Sequence, residues 1–232
     1  MEDVNLNQTT HRRGFLGTIA AGAAAVGMAT VGAPLKAAAE AIGPSSFADD
    51  ADAFLAKVKT KKHRIIFDVP KPHETMPFAW PKVYMLTNAA TGTPEKEIGV
   101  IIVLRHDGIP FAFNNNMWAK YKFGEVFKYN DPATTKPSLR NPFWQPKHGD
   151  FSVPGIGPVD IGIDQLQDNG VMFCVCDVAM TVYSHVLAGS GDADAIKKEW
   201  LANLLPGIQV APSGVWAVGR AQEYGCAYCF AG

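Results

Sequence analysis

The stretch Ile98-Gly99-Val100-Ile101-Ile102-Val103-Leu104 decides the fold. It carries no charge and is dominated by β-branched residues. A strand with one wet face would alternate apolar and polar side chains, whereas an unbroken run fits a parallel strand covered on both faces. Upstream, His63 to Val69 (HRIIFDV) forms a second strand, stopped by Pro70 and Pro72. Between them, residues 78–91 read as a helix, with Pro81 tolerated in the first turn. Before the first strand, Ser45-Ser46 supply cap-type residues, and Phe47, Phe54, Leu55 and Val58 recur at helical spacing. The basic run from Lys57 to Lys62 closes that helix, where cations offset the dipole.

Downstream the spacing predicts a helix over 117–129, a short one over 163–168, and a strand over 171–175 (VMFCV). Helices over 177–187 and 192–204, a strand over 208–211, a helix over 215–224 and a last strand over 226–230 follow. Alternation of this kind demands crossover connections, which bury a parallel sheet between helices. The expected architecture is therefore α/β: three layers, with a mostly parallel five-stranded sheet flanked by helices. One domain is expected over 40–232, with no internal repeat. Residues 131–158 interrupt the pattern with Pro132, Pro137, Pro142, Pro146, Pro154 and Pro158. That segment is longer than an ordinary connection and is read as a lid or an interface segment.

The N-terminus reads as an export signal over residues 1–39. A polar stretch ends in Arg12-Arg13-Gly14-Phe15-Leu16, an uncharged Gly/Ala-rich run extends to Leu35, and Ala37-Ala38-Ala39 offers a small-residue cleavage site. Paired arginines before a weakly apolar core fit the twin-arginine route, so the export machinery is an expected partner and the periplasm, or another extracytoplasmic space, the expected location. The glycines and Pro34 argue against a stable span, and none is expected after cleavage. A net charge of −1 with no long basic block makes nucleic acid an unlikely partner.

Four cysteines are the main chemical resource. Cys176 falls where a strand passes into a helix. Ligands of open parallel sheets bind beyond the carboxyl ends of the strands, and N–H groups at a helix mouth favour a thiolate, so its pKa is expected to fall. Burial as a small core residue is the competing reading. Cys174, two residues earlier, shares its face of the strand but lies deeper. His106, in the turn after residues 98–104, is the second catalytic candidate, as a base for the thiol or a metal ligand. Cys174, Cys176 and His106 are weak candidates for a soft metal; no other cofactor is indicated. Cys226 and Cys229 lie three apart in a strand, facing opposite sides, and are read as packing residues.

Taken in order, HRIIFDV, VIIVLRHDG, Gly170 to Met180, and the segments Pro206 to Val210 and Ala221 to Tyr228 resemble the DsrE/DsrF-like superfamily of small α/β proteins connected with sulfur relay. The resemblance implies a strand-end cysteine as sulfur carrier, a position that Cys176 occupies, and a homo-oligomer, commonly a trimer or hexamer. The family is usually cytoplasmic, so the export signal and the proline-rich insertion depart from it. The expected function is extracytoplasmic sulfur or thiol redox chemistry through Cys176. The alternatives are a module that binds a small ligand or soft metal without turnover, and an oligomeric scaffold held by the insertion.

Overall fold

The computed structural model describes residues 45–232; the signal read at residues 1–39 lies outside them. In chain order the elements are α1 (Ala48–Ala56), β1 (His63–Val69), α2 (Met76–Ala90), β2 (Ile98–Leu104), α3 (Asn115–Tyr121) and α4 (Phe123–Val126). A small hairpin follows, β3 (Ser152–Val153) with β4 (Gly157–Pro158), and then α5 (Ile163–Asp168), β5 (Met172–Cys176) and α6 (Asp177–Ala188). The chain continues through α7 (Ala193–Ala202), β6 (Ile208–Ala211), α8 (Gly214–Glu223) and β7 (Ala227–Phe230). The five long strands form one parallel sheet in the order β6-β5-β2-β1-β7. This is a three-layer α/β fold, as the strand pattern predicts. No helix among the described residues is long and apolar enough to cross a membrane.

The strand order dictates which helix covers which face. From β1 through β2 and β5 to β6 the chain always steps the same way across the sheet, so right-handed crossovers put the intervening helices on one face. The step from β6 back to β7 runs the other way, which sends α8 to the opposite face, beside α1. The packing follows this division. Phe67, Val69, Val100, Ile102, Leu104, Phe173 and Val175 point to one face, under Phe78, Trp118 and Trp200. Ile66, Ile101, Val103 and Cys174 point to the other, under Leu55, Ala217 and Ala221. The first face is thick and aromatic, the second thin.

The helix predicted over 117–129 is broken, because Lys122 adopts a left-handed conformation (φ 51°) between α3 and α4. The larger departure is the proline-rich segment. Instead of a lid, residues 131–158 supply part of the thick face. Phe143 is fully buried, with its ring centroid 4.2 Å from Phe78 and 4.9 Å from Phe151. The buried amide of Asn141 donates to the carbonyls of Phe111 (2.9 Å) and Phe113 (3.0 Å), satisfying backbone groups that no ladder reaches. Asp131 is clamped by Arg140 at 2.6 Å. Burial pulls its carboxyl up, but the Arg140 and backbone hydrogen bonds win and hold it below the ordinary range. Gly124 lets Ser138 pass, since a Cβ there would sit 2.1 Å from the Ser138 nitrogen.

Candidate functional site

In an open α/β sheet the natural crevice lies where neighbouring strands send their following helices to opposite faces. Here that point lies between β5, whose helix α6 covers the thick face, and β6, whose helix α8 covers the thin one. Cys176 stands at this position. It ends β5 opposite Ala211 of β6 and is the N-cap of α6. Its sulfur accepts the Ala179 N–H of α6 at 3.2 Å and also receives the Gly214 N–H from the start of α8. Two helix mouths, one from each face, therefore converge on one thiol.

The balance on that thiol differs from the sequence expectation. Cys176 is almost completely buried. Burial pushes its pKa up, and the neighbouring Asp177 adds to this. The Ala179 and Gly214 N–H groups and the Arg105 charge act the other way without cancelling it. The predicted fall is corrected to a rise. A helix mouth contributes roughly 0.3–1 kcal/mol to an anion, less than the penalty for placing a thiolate in a dry strand end.

The strand alternation shows what faces Cys176. Leu104 pairs with Val175 in the β2–β5 ladder, which sets Arg105 opposite Cys176, and both point to the thin face. Asp68 of β1 and Tyr228 of β7 lie on the same face. Asp68, only 2 % exposed, takes Arg105 Nε at 2.6 Å and a second guanidinium N–H at 2.8 Å; the Tyr228 hydroxyl donates to it at 2.9 Å. Gly214 packs on the Arg105 stem so closely that a Cβ would lie 2.4 Å from the arginine Cβ. The result is a row across adjacent strands: Tyr228, Asp68, Arg105, Cys176 and the start of α8.

His106 shares the carboxyl edge but belongs to a different cluster. Arg105 is extended, and His106 turns left-handed (φ 49°), directing the chain into a 3-10 turn over His106–Ala112. Its ring lies 3.7 Å from the Asp107 carboxylate and 6.0 Å from the Tyr183 ring; Tyr183 donates to Asp107. Asn114 in the neighbouring asparagine run is a helix cap, accepting the Met117 N–H.

The other cysteines pack. Cys174 is fully buried on the thin face, and burial drives its pKa up. Cys226 lies in the thin-face core, pushed up to about 11 by burial, while Cys229 packs toward the thick face. All four are free thiols. Among the described residues no three His, Cys, Asp or Glu side chains gather as a metal-holding group, so Cys174, Cys176 and His106 do not form the suggested soft-metal site. Two clefts, of about 320 Å³ near Phe54 and Met172 and about 110 Å³ beside Arg140 and Phe151, are not lined by Cys176 or His106.

No family model matches this chain. No curated protein matches it either. Among solved structures, a protein of unknown function from Methanobacterium thermoautotrophicum is similar at 17 % identity and a TM-score of 0.39, covering 73 % of this chain and 99 % of that one.

Asp68, Arg105, Tyr228 and Gly214 carry no motif that sequence reading would notice. The usable signal was parity: Arg105, not His106, continues the face of Ile101 and Val103, which is the face of Cys174 and Cys176.

Proposed function

We propose that this protein handles sulfur through Cys176, as a DsrE-like carrier exported by the twin-arginine signal at residues 1–39 and acting in the periplasm. The observation that carries this reading is the convergence of the Ala179 and Gly214 N–H groups on the Cys176 sulfur at the crevice between β5 and β6. Those donors have little to offer a neutral thiol and much to offer an anionic sulfur. The step they suit is transfer of a sulfane sulfur. The Cys176 thiolate attacks the outer sulfur of a donor R–S–SH; a new S–S bond forms to Cys176, the old one breaks, and the donor leaves as RS⁻. Burial keeps the resting thiol protonated, so the reaction begins with loss of that proton as the donor opens the edge. The trimeric or hexameric assembly implied by the resemblance accompanies this reading. The outer edge of β7, with Tyr228 and Phe230 half-exposed, is a surface it could use.

The test is to incubate the purified full chain with a small organic persulfide and trap the product by alkylation, followed by peptide mass spectrometry. A persulfide on Cys176, abolished in Cys176→Ser, is the expected result. A Cys176 that stays unmodified in the native protein overturns the proposal.

A further inference from the structure

We infer that Arg105, fixed in place by Asp68 and Tyr228, sets the ionisation of Cys176, in the role that sequence reading gave to His106. The inference rests on Cys176 being the reacting sulfur of the proposed function, and it adds the residues that tune it.

Three observations point the same way. The β2–β5 register puts Arg105 directly across from Cys176, about one strand spacing of roughly 4.8 Å away. Asp68 belongs to β1, one strand further, so the cation is the nearer of the two charges. Gly214 then ties the arginine to the thiol: its missing side chain admits the Arg105 stem, while its N–H reaches the Cys176 sulfur. An arginine rather than a lysine suits this position because its planar fork can bind Asp68 with two N–H groups and still present a charged edge. Asp68 is therefore a positioning residue, and the Tyr228 hydroxyl fills the remaining demand of its second oxygen. His106, in the adjacent left-handed turn, is engaged with Asp107 and Tyr183 on the α6 side.

The experiment measures the rate of iodoacetamide labelling at Cys176 against pH, resolved by peptide mass spectrometry, on the full chain. Arg105→Gln should move the labelling midpoint upward by about one pH unit, the size expected when a neighbouring opposite charge is lost. Arg105→Lys should restore most of the shift. Because Arg105→Gln strands a buried carboxylate, the double variant Asp68→Asn/Arg105→Gln supplies a neutral pair that keeps the contact; its midpoint should rise as well. Asp68→Asn alone separates position from charge. If Asp68 acts by holding Arg105, the midpoint rises; if it matters only as a negative charge, removing it lowers the midpoint and overturns its positioning role. An unchanged midpoint in both Arg105→Gln and the double variant, or an equal shift in His106→Gln, overturns the assignment of Arg105. No sulfur donor is present, so failure of persulfide formation with these midpoint shifts intact would overturn the sulfur reading alone.

Discussion

The two faces of the sheet are built on opposite principles. The thick face is filled by large rings, with Phe78, Phe111, Phe143, Phe173 and Trp118 in mutual contact and the proline-rich segment folded into it. The thin face is closed by alanines, Ala51 of α1 and Ala217 and Ala221 of α8, against Ile66, Ile101 and Val103. Small residues let a helix approach the sheet closely, and that approach brings the Gly214 N–H to Cys176. Bulk on one side holds the fold; lack of bulk on the other makes the site. The division also explains why the cation facing the thiol comes from a residue without any motif: it only had to lie on the thin side.

The sharpest way to break this comparison is to damage each face and read the other. Phe143→Ala removes a fully buried ring and should cost about 3–5 kcal/mol in denaturant unfolding. The labelling midpoint of Cys176 should stay where it is, because the lost contacts lie on the far side of the sheet. A shifted midpoint would show that the faces are not separable. Deleting residues 131–158, which would have tested a detachable interface, should instead unfold the protein, since Asn141 and Phe143 leave with it.

The converse variant, Ala221→Leu, adds volume where α8 meets the thin core and should destabilise by about 1–3 kcal/mol. Here the Cys176 midpoint should rise, because lifting α8 withdraws the Gly214 N–H. A stability loss with no change at Cys176 would mean that the closeness of α8 does not govern the thiol.

The smallest effect is in alkaline titration. Thiols on the thin face are held above the ordinary value of about 8.5, with Cys226 near 11 and Cys174 and Cys176 also raised by burial. The unfolded chain releases these protons first. Their contribution to stability is therefore intact below the unfolded value and is lost as pH rises toward the folded ones. Urea midpoints should fall between pH about 9 and 11, with a shallower fall in Cys226→Ala. An identical slope in that variant would remove Cys226 from the account.

Much of the fold was legible because its signals are local. The run over 98–104 predicted a buried parallel strand and is β2, and β1 and β6 match residues 63–69 and 208–211 to the residue. The break at Lys122 was not legible, since a lysine in a left-handed conformation follows from the surrounding packing and leaves no mark in periodicity. The segment over 131–158 misled for a related reason: prolines signal irregular backbone, and irregular backbone can still be core when side chains such as Asn141 complete its hydrogen bonds. At the site, sequence placed Cys176 at the strand end but chose the wrong sign for its pKa. Helix position is visible in a sequence, whereas the depth of burial that outweighed it emerges only from packing.

The hydrogen bond from Tyr228 to Asp68 joins residues 160 positions apart. It depends on the last strand lying beside the first, a pairing that carries the full entropic cost of closing a long loop and so tends to form late in folding. Until β7 arrives, the outer edge of β1 is bare and Asp68 lacks its third donor. The electrostatic surroundings of Cys176 are thus a property of the completed sheet, and a partly folded chain carries the same cysteine as an ordinary thiol.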